Sequence, residues 1–175
     1  MNLEKLYKMQ EELDKYILEN AKKRNIAMSD EELLDKTILA LLVEVGELAN
    51  ATRCFKHWST KGAESKERLL DELADIWHFY LSIGNQKELK MTEDDFPSEE
   101  RIEWVKEKAK LEQIFIMLSN AISDLYVFGI GCTAYEDVGQ ELCVLSEFIG
   151  FTDEEVEQAY LKKHEENYKR QREGY

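Results

Sequence analysis

Ala40-Leu41-Leu42-Val43-Glu44-Val45-Gly46-Glu47-Leu48-Ala49-Asn50-Ala51 sets two carboxylates three residues apart inside an apolar run. Leu69-Leu70-Asp71-Glu72-Leu73-Ala74-Asp75-Ile76-Trp77 repeats the device further along the chain. Residues three apart on an α-helix lie on one face, so each doublet points both of its carboxylates the same way. Two such helices placed antiparallel bring Glu44, Glu47, Glu72 and Asp75 together. Four converging carboxylates repel one another and stay ionised only if cations sit between them. Hard oxygen ligands favour Mg²⁺ or Mn²⁺, and that choice in turn favours chemistry on a phosphate substrate.

The spacing alone does not single these doublets out. The chain carries 37 acidic residues, and Glu11/Asp14, Glu32/Asp35, Glu64/Glu67, Glu100/Glu103 and Glu154/Glu157 share it. The surroundings do. Glu44 has Ala40, Leu41 and Leu48 within a helical turn, Glu47 has Val43 and Ala51, and Glu72 has Leu69 and Ile76. Glu64/Glu67 and Glu100/Glu103 lie among Lys, Arg and further Glu. An inward-facing carboxylate pairs, protonates or binds metal. A solvated or arginine-paired helix face is the competing reading of the same pattern.

The 175 residues suit one domain, 1–175, with 43% hydrophobic residues to bury. One Pro, eight Gly and no strand-like alternation predict an all-α fold. A formal charge of −14, with no basic stripe, argues against nucleic acid held through its phosphates. Cys54, Cys132 and Cys143 are odd in number and widely spaced, and read as reduced thiols of a cytoplasmic protein. No apolar run approaches the ~18 residues of a membrane span, and the charged start Met1-Asn2-Leu3-Glu4-Lys5 is unlike a signal peptide.

Six helices are expected. The first covers 3–23, with Leu6, Met9, Leu13, Tyr16 and Ile17 as its apolar stripe. The second starts after Ser29, in a Ser29-Asp30-Glu31-Glu32 capping box, and runs to about residue 53. The third covers 63–86, the fourth 98–128, and the fifth ends near 149. Thr152-Asp153-Glu154-Glu155 is a second capping box and opens the last. The run from Ile114 to Phe128 is more apolar than one core face requires, which fits either a central helix or a dimer interface. Near the end, Lys163, Asn167 and Arg170 are four and then three apart, so one face offers a cation, an amide and a guanidinium.

Three further motifs narrow the reading: Phe55-Lys56-His57-Trp58 after the first doublet, Gln10-Glu11-Glu12-Leu13 in the first helix, and Tyr160-x-x-Lys163-x-x-x-Asn167-x-x-Arg170 ahead of Gly174-Tyr175. With the two doublets, these resemble the dimeric, all-α dUTP pyrophosphatases, relatives of the MazG-like nucleotide pyrophosphatases. The resemblance implies a tightly packed homodimer built as a MazG-like helical bundle, with the metal site between two antiparallel helices. It implies hydrolysis of dUTP, and of dUDP, to dUMP by Mg²⁺-dependent attack of water at the α-phosphorus. Glu44 and Glu47 would serve in catalysis, Glu44 as general base, and Glu44, Glu47, Glu72 and Asp75 would ligate the metal. Gln10, Asp14, Trp58, Phe79 and Asn167 would hold base and sugar. Lys163, Arg170, Tyr175, Lys56 and Lys61 would hold phosphate. The family places Asn where Asp14 stands. A broader-specificity MazG-like dNTP pyrophosphatase and a non-catalytic acidic helical dimer that binds a protein partner are the alternatives.

Overall fold

The structure is a computed structural model that describes residues 1–174. Its elements are seven α-helices: α1 (Leu3–Lys23), α2 (Asp30–Thr52), α3 (Lys66–Lys87), α4 (Glu99–Lys108), α5 (Leu111–Val127), α6 (Cys132–Ile149) and α7 (Asp153–Glu173). A single 3₁₀ turn, Glu93–Asp95, precedes α4, and no strand occurs among the described residues. The all-α fold is therefore as expected.

Local chemistry sets most of the boundaries. Asn2 caps α1 through the Lys5 amide, and Ser65 caps α3 through that of Arg68. The Ser29/Glu32 and Thr152/Glu155 boxes satisfy the first amides of α2 and α7. Helix α6 ends at Gly150 with φ 93, a left-handed turn that glycine adopts without a Cβ clash.

The expected 98–128 helix is two helices. Ala109 and Lys110 are extended, with ψ of 160 and 157, and the Gln113 side chain accepts from the Lys110 amide at 2.8 Å to restart the spiral. Neither Gly nor Pro marks the break. Tertiary packing accounts for it: α4 lies on α6, where Arg101 pairs with Glu141, while α5 turns to cover α6 and α2. Helix α5 buries Ile114, Phe115, Leu118, Ile122 and Leu125, and leaves Ile116, Tyr126 and Val127 exposed, with Phe128 beyond them.

Helix α3 is the axis of the bundle, packing on α1, α2, α6 and α7. It runs antiparallel to α2. Gln86 near its end donates to Thr37 at 3.0 Å, and Glu64 just before its start donates its amide to the Ala51 carbonyl at 3.0 Å. Helix α7 runs alongside α1, joined by Lys5–Glu157 at one end and the Tyr16–Tyr168 ring contact at the other. The core centres on Trp77, Tyr80 and Tyr135, each at most 1% exposed. Tyr80 and Tyr135 stack with centroids 4.3 Å apart. The Tyr135 hydroxyl meets that of Tyr7 at 2.9 Å and donates to the Tyr80 carbonyl at 3.0 Å.

Candidate active site

Antiparallel packing sets Glu44 on α2 against Glu72 and Asp75 on α3. One oxygen from each carboxylate lies within 4.8 Å of the others, a group of hard donors suited to a divalent cation. Glu44 has no ion pair among the described residues. Burial pushes its carboxyl up to about 7, reinforced by the charges of Asp75, Glu47 and Glu72. Burial also raises Glu72, against the pull of Arg68. Asp75 is raised as well, because burial outweighs its ion pair with Lys163.

Lys163 and Arg68 stand beside this cluster. Lys163 on α7 is only 3% exposed, with Nζ 2.6 Å from Asp75 Oδ2 and 3.1 Å from Asp71 Oδ2. Burial works against its charge, yet Asp75 and Asp71 leave its pKa raised. Arg68 pairs with Glu72 and, at 3.2 Å, with Asp71. Lys163 and Arg68, with the charge of Arg170 reaching Asp75, do not offset Glu44, Glu47, Asp71, Glu72 and Asp75 together, and the excess of negative charge fits a divalent ion.

Glu44 and Asp75 open onto a cavity of about 400 Å³ between α1, α2, α3 and α7, lined also by Gln10, Asp14, Phe79, Asn167 and Arg170. Arg170 additionally donates to Glu166 at 2.6 Å, one helical turn away.

The remaining expected residues lie elsewhere. Glu47 is exposed, in a neighbouring depression with Glu64, Arg68 and Glu72, so three carboxylates rather than four converge. The 53–65 loop follows Arg53, which adopts a left-handed conformation at φ 61 and donates to the Lys61 carbonyl and the Ser59 hydroxyl. Trp58 on this loop is 67% exposed, packed edge-on to His57 and Phe55, and Lys56 donates to the Asn50 carbonyl. Trp58, Lys56 and Lys61 do not line the cavity. Tyr175 lies outside the described residues.

The dUTPase family profile matches residues 2–175. The chain belongs to the dUTPase family. This is the all-α branch of dUTPases, and the membership makes the protein an enzyme, a dUTP diphosphatase. No curated protein matches the chain. dUTPases are in general metal-dependent, and Glu44, Glu72 and Asp75 form a cluster suited to that role.

Several side chains of this dUTPase site escaped sequence reasoning. Asp71, one turn before Asp75, shares Lys163, and the four-residue spacing was a usable signal. His78, Ser82 and Gln86 continue that face into the cavity. The partnership of His78 with Gln10, 68 residues away, had no local signature.

Proposed function

We propose that the protein hydrolyses dUTP, and dUDP, to dUMP with Mg²⁺ or Mn²⁺ as cofactor, acting as a single-domain cytoplasmic homodimer. The observation carrying this reading is that Glu44 and Asp75 share one cavity with Gln10, Asp14, Phe79, Asn167 and Arg170.

Glu44, Glu72 and Asp75 would hold the metal, joined by Glu47 once its side chain turns inward. The ion supplies Lewis acidity and neutralises triphosphate charge. Glu44, without an ion-pair partner and open to the cavity, takes a proton from the attacking water on a carboxylate oxygen. Lys163 and Arg170 hold phosphate oxygens, Lys163 exchanging one of its carboxylate partners for substrate. The Phe79 ring packs against deoxyribose, and Gln10, Asp14 and Asn167 face the base. For Trp58, Lys56 and Lys61 to contribute, the 53–65 loop must close over the cavity. Tyr175 is proposed as a further phosphate contact.

The homodimer is supported by exposed apolar side chains on two packed helices, Leu39 and Val43 on α2 and Ile116, Tyr126 and Val127 on α5, with Phe128 following, of which Leu39, Tyr126 and Val127 line one groove. Exposed apolar side chains in such numbers mark an interface. The three free cysteines fit a reducing compartment.

The test is pyrophosphate release from dUTP, dTTP, dATP and UTP with Mg²⁺, with Glu44→Gln and Glu47→Gln as controls. A strong preference for dUTP, lost in both variants, is expected. Comparable turnover of all four would point to a broad MazG-like pyrophosphatase, and no turnover would overturn the reading.

A further inference from the structure

Lys163 is held between two carboxylates that face different spaces. Its ammonium donates to Asp75 Oδ2 at 2.6 Å and to Asp71 Oδ2 at 3.1 Å. Asp75 lines the cavity that Glu44 also lines. Asp71, one turn earlier on α3, instead lines a groove between α3 and α7 with Leu70, Gln158 and Lys162. The same Asp71 oxygen accepts from Arg68 at 3.2 Å. Arg68 from α3 and Lys163 from α7 therefore meet on one atom and hold it from two sides.

This arrangement bears on how a divalent ion enters the cluster. Asp75 is one of the three carboxylates whose oxygens converge within 4.8 Å. An ion placed there shares a carboxylate with the Lys163 ammonium, and two cations drawn to one carboxylate repel each other. Arg68 faces the same conflict at Glu72, but its side chain is 46% exposed and can turn to water. Lys163 is 3% exposed and cannot. A buried ammonium stripped of its carboxylates is costly, whereas one that changes its share between two carboxylates is not. Asp71 supplies the second carboxylate: it already lies within hydrogen-bond distance of Nζ, outside the converging group, and Arg68 keeps it in place.

We propose that Asp71 is a positioning residue, the carboxylate that keeps hold of the Lys163 ammonium when a divalent ion takes Asp75, so that a lysine is exchanged for a metal without stranding a buried cation. In the metal-free protein Lys163 is shared between Asp75 and Asp71; in the loaded protein it rests on Asp71. Asp71 itself touches neither metal nor substrate and acts through Lys163. The proposal rests on the metal-dependent, dUTP-hydrolysing reading of the site.

The experiment is Mn²⁺ affinity by electron paramagnetic resonance in the wild type, the near-isosteric Asp71→Asn, Lys163→Met and the double variant, with circular dichroism to check folding. Alongside it, heteronuclear NMR follows the lysine ammonium groups of the wild type at one pH with and without Mg²⁺, the Lys163 signal being the one lost on substitution by Met or by Arg. Asp71→Asn is expected to weaken Mn²⁺ binding by about tenfold when Lys163 is present and by less than about threefold in Lys163→Met. The wild-type Lys163 signal is expected to survive Mg²⁺ with a changed shift. Equal weakening in both backgrounds would make Asp71 a nearby charge and nothing more. Loss of the signal in Mg²⁺ would mean that the ammonium is released, and an unmoved signal that it stays on Asp75; any of these three results overturns the inference. Turnover of dUTP by the wild type, measured in parallel, separates the two readings: where turnover is seen, a failed cycle overturns the inference and leaves hydrolysis standing. A wild type that binds no Mn²⁺ overturns the metal site and the inference together. If Asp71→Asn does not fold, the wild-type signal decides.

Discussion

Replacing Glu44 by Gln should make the metal-free protein more stable, not less. Glu44 is half-buried, without an ion-pair partner, and beside Glu72 and Asp75, and its carboxyl is pushed from an ordinary 4.5 up to about 7. A rise of that size corresponds to about 3 kcal/mol between the protonation states, which solvent screening reduces to about 1–2 kcal/mol. The folded carboxyl holds its proton more tightly than the unfolded one. The penalty is therefore absent below pH 4.5, grows as pH rises toward 7, and is complete above it. Gln removes the charge at nearly constant volume. At about 2–4 °C per kcal/mol for a chain of this length, Tm in EDTA at pH 8 should rise by about 2–8 °C, and the gain should shrink at pH 5. Added Mg²⁺ should raise the wild-type Tm and move that of Glu44→Gln much less, because the variant has lost both a ligand and the repulsion that metal relieves. The assay is calorimetry of both proteins in EDTA and in Mg²⁺. A variant that melts at or below the wild type in EDTA at pH 8, or a gain undiminished at pH 5, would refute the electrostatic account of the cluster.

Lys163→Met should lower metal-free stability by about 1–3 kcal/mol, since it takes from Asp75 its ion-pair partner and leaves Asp71 with Arg68 alone, and Mg²⁺ should restore part of the loss in the same melts. Gly84→Ala should cost about 1–3 kcal/mol in urea unfolding, because a Cβ there meets the Tyr135 ring and comes within 2.8 Å of the Leu89 carbonyl. Phe128→Asp, at a ring 81% exposed, should leave the monomer fold intact by circular dichroism while halving the mass in light scattering; an unchanged dimer would move the interface elsewhere. Trp58→Ala should change Tm by no more than about 2 °C, since the ring is largely solvated; a large drop would mean the 53–65 loop is packed more tightly than its exposure indicates.

Where structure depends on near neighbours, the sequence was legible. Ser29/Glu32 and Thr152/Glu155 read as capping boxes and are capping boxes, because both partners sit within one turn. Helix α1 has the bounds its apolar stripe predicts. The break at Ala109–Lys110 was not legible: neither residue forbids a helix, and it takes the demands of α6 and α2 on either side to bend the chain there. Within the candidate site, the doublets were visible because α-helical geometry fixes which residues share a face. Which carboxylates then converge was not, and Glu47, on the same helix as Glu44, faces solvent. The spacing of Lys163, Asn167 and Arg170, four and then three, put them on one face of α7 but did not predict that Lys163 would be tied to α3.

By itself the sequence determined the helices, the two acidic faces and the short-range caps, since these follow from backbone periodicity and contacts a few residues apart. Tertiary structure alone decided that α3 would be the axis. It also decided that Glu44 would lack a counter-ion while Asp75 acquired Lys163, and that Gln10, His78 and Tyr160 would fix which way Asp14 faces. Those outcomes depend on which side chains share a buried volume, and burial turns a modest interaction in water into one strong enough to set charge and direction.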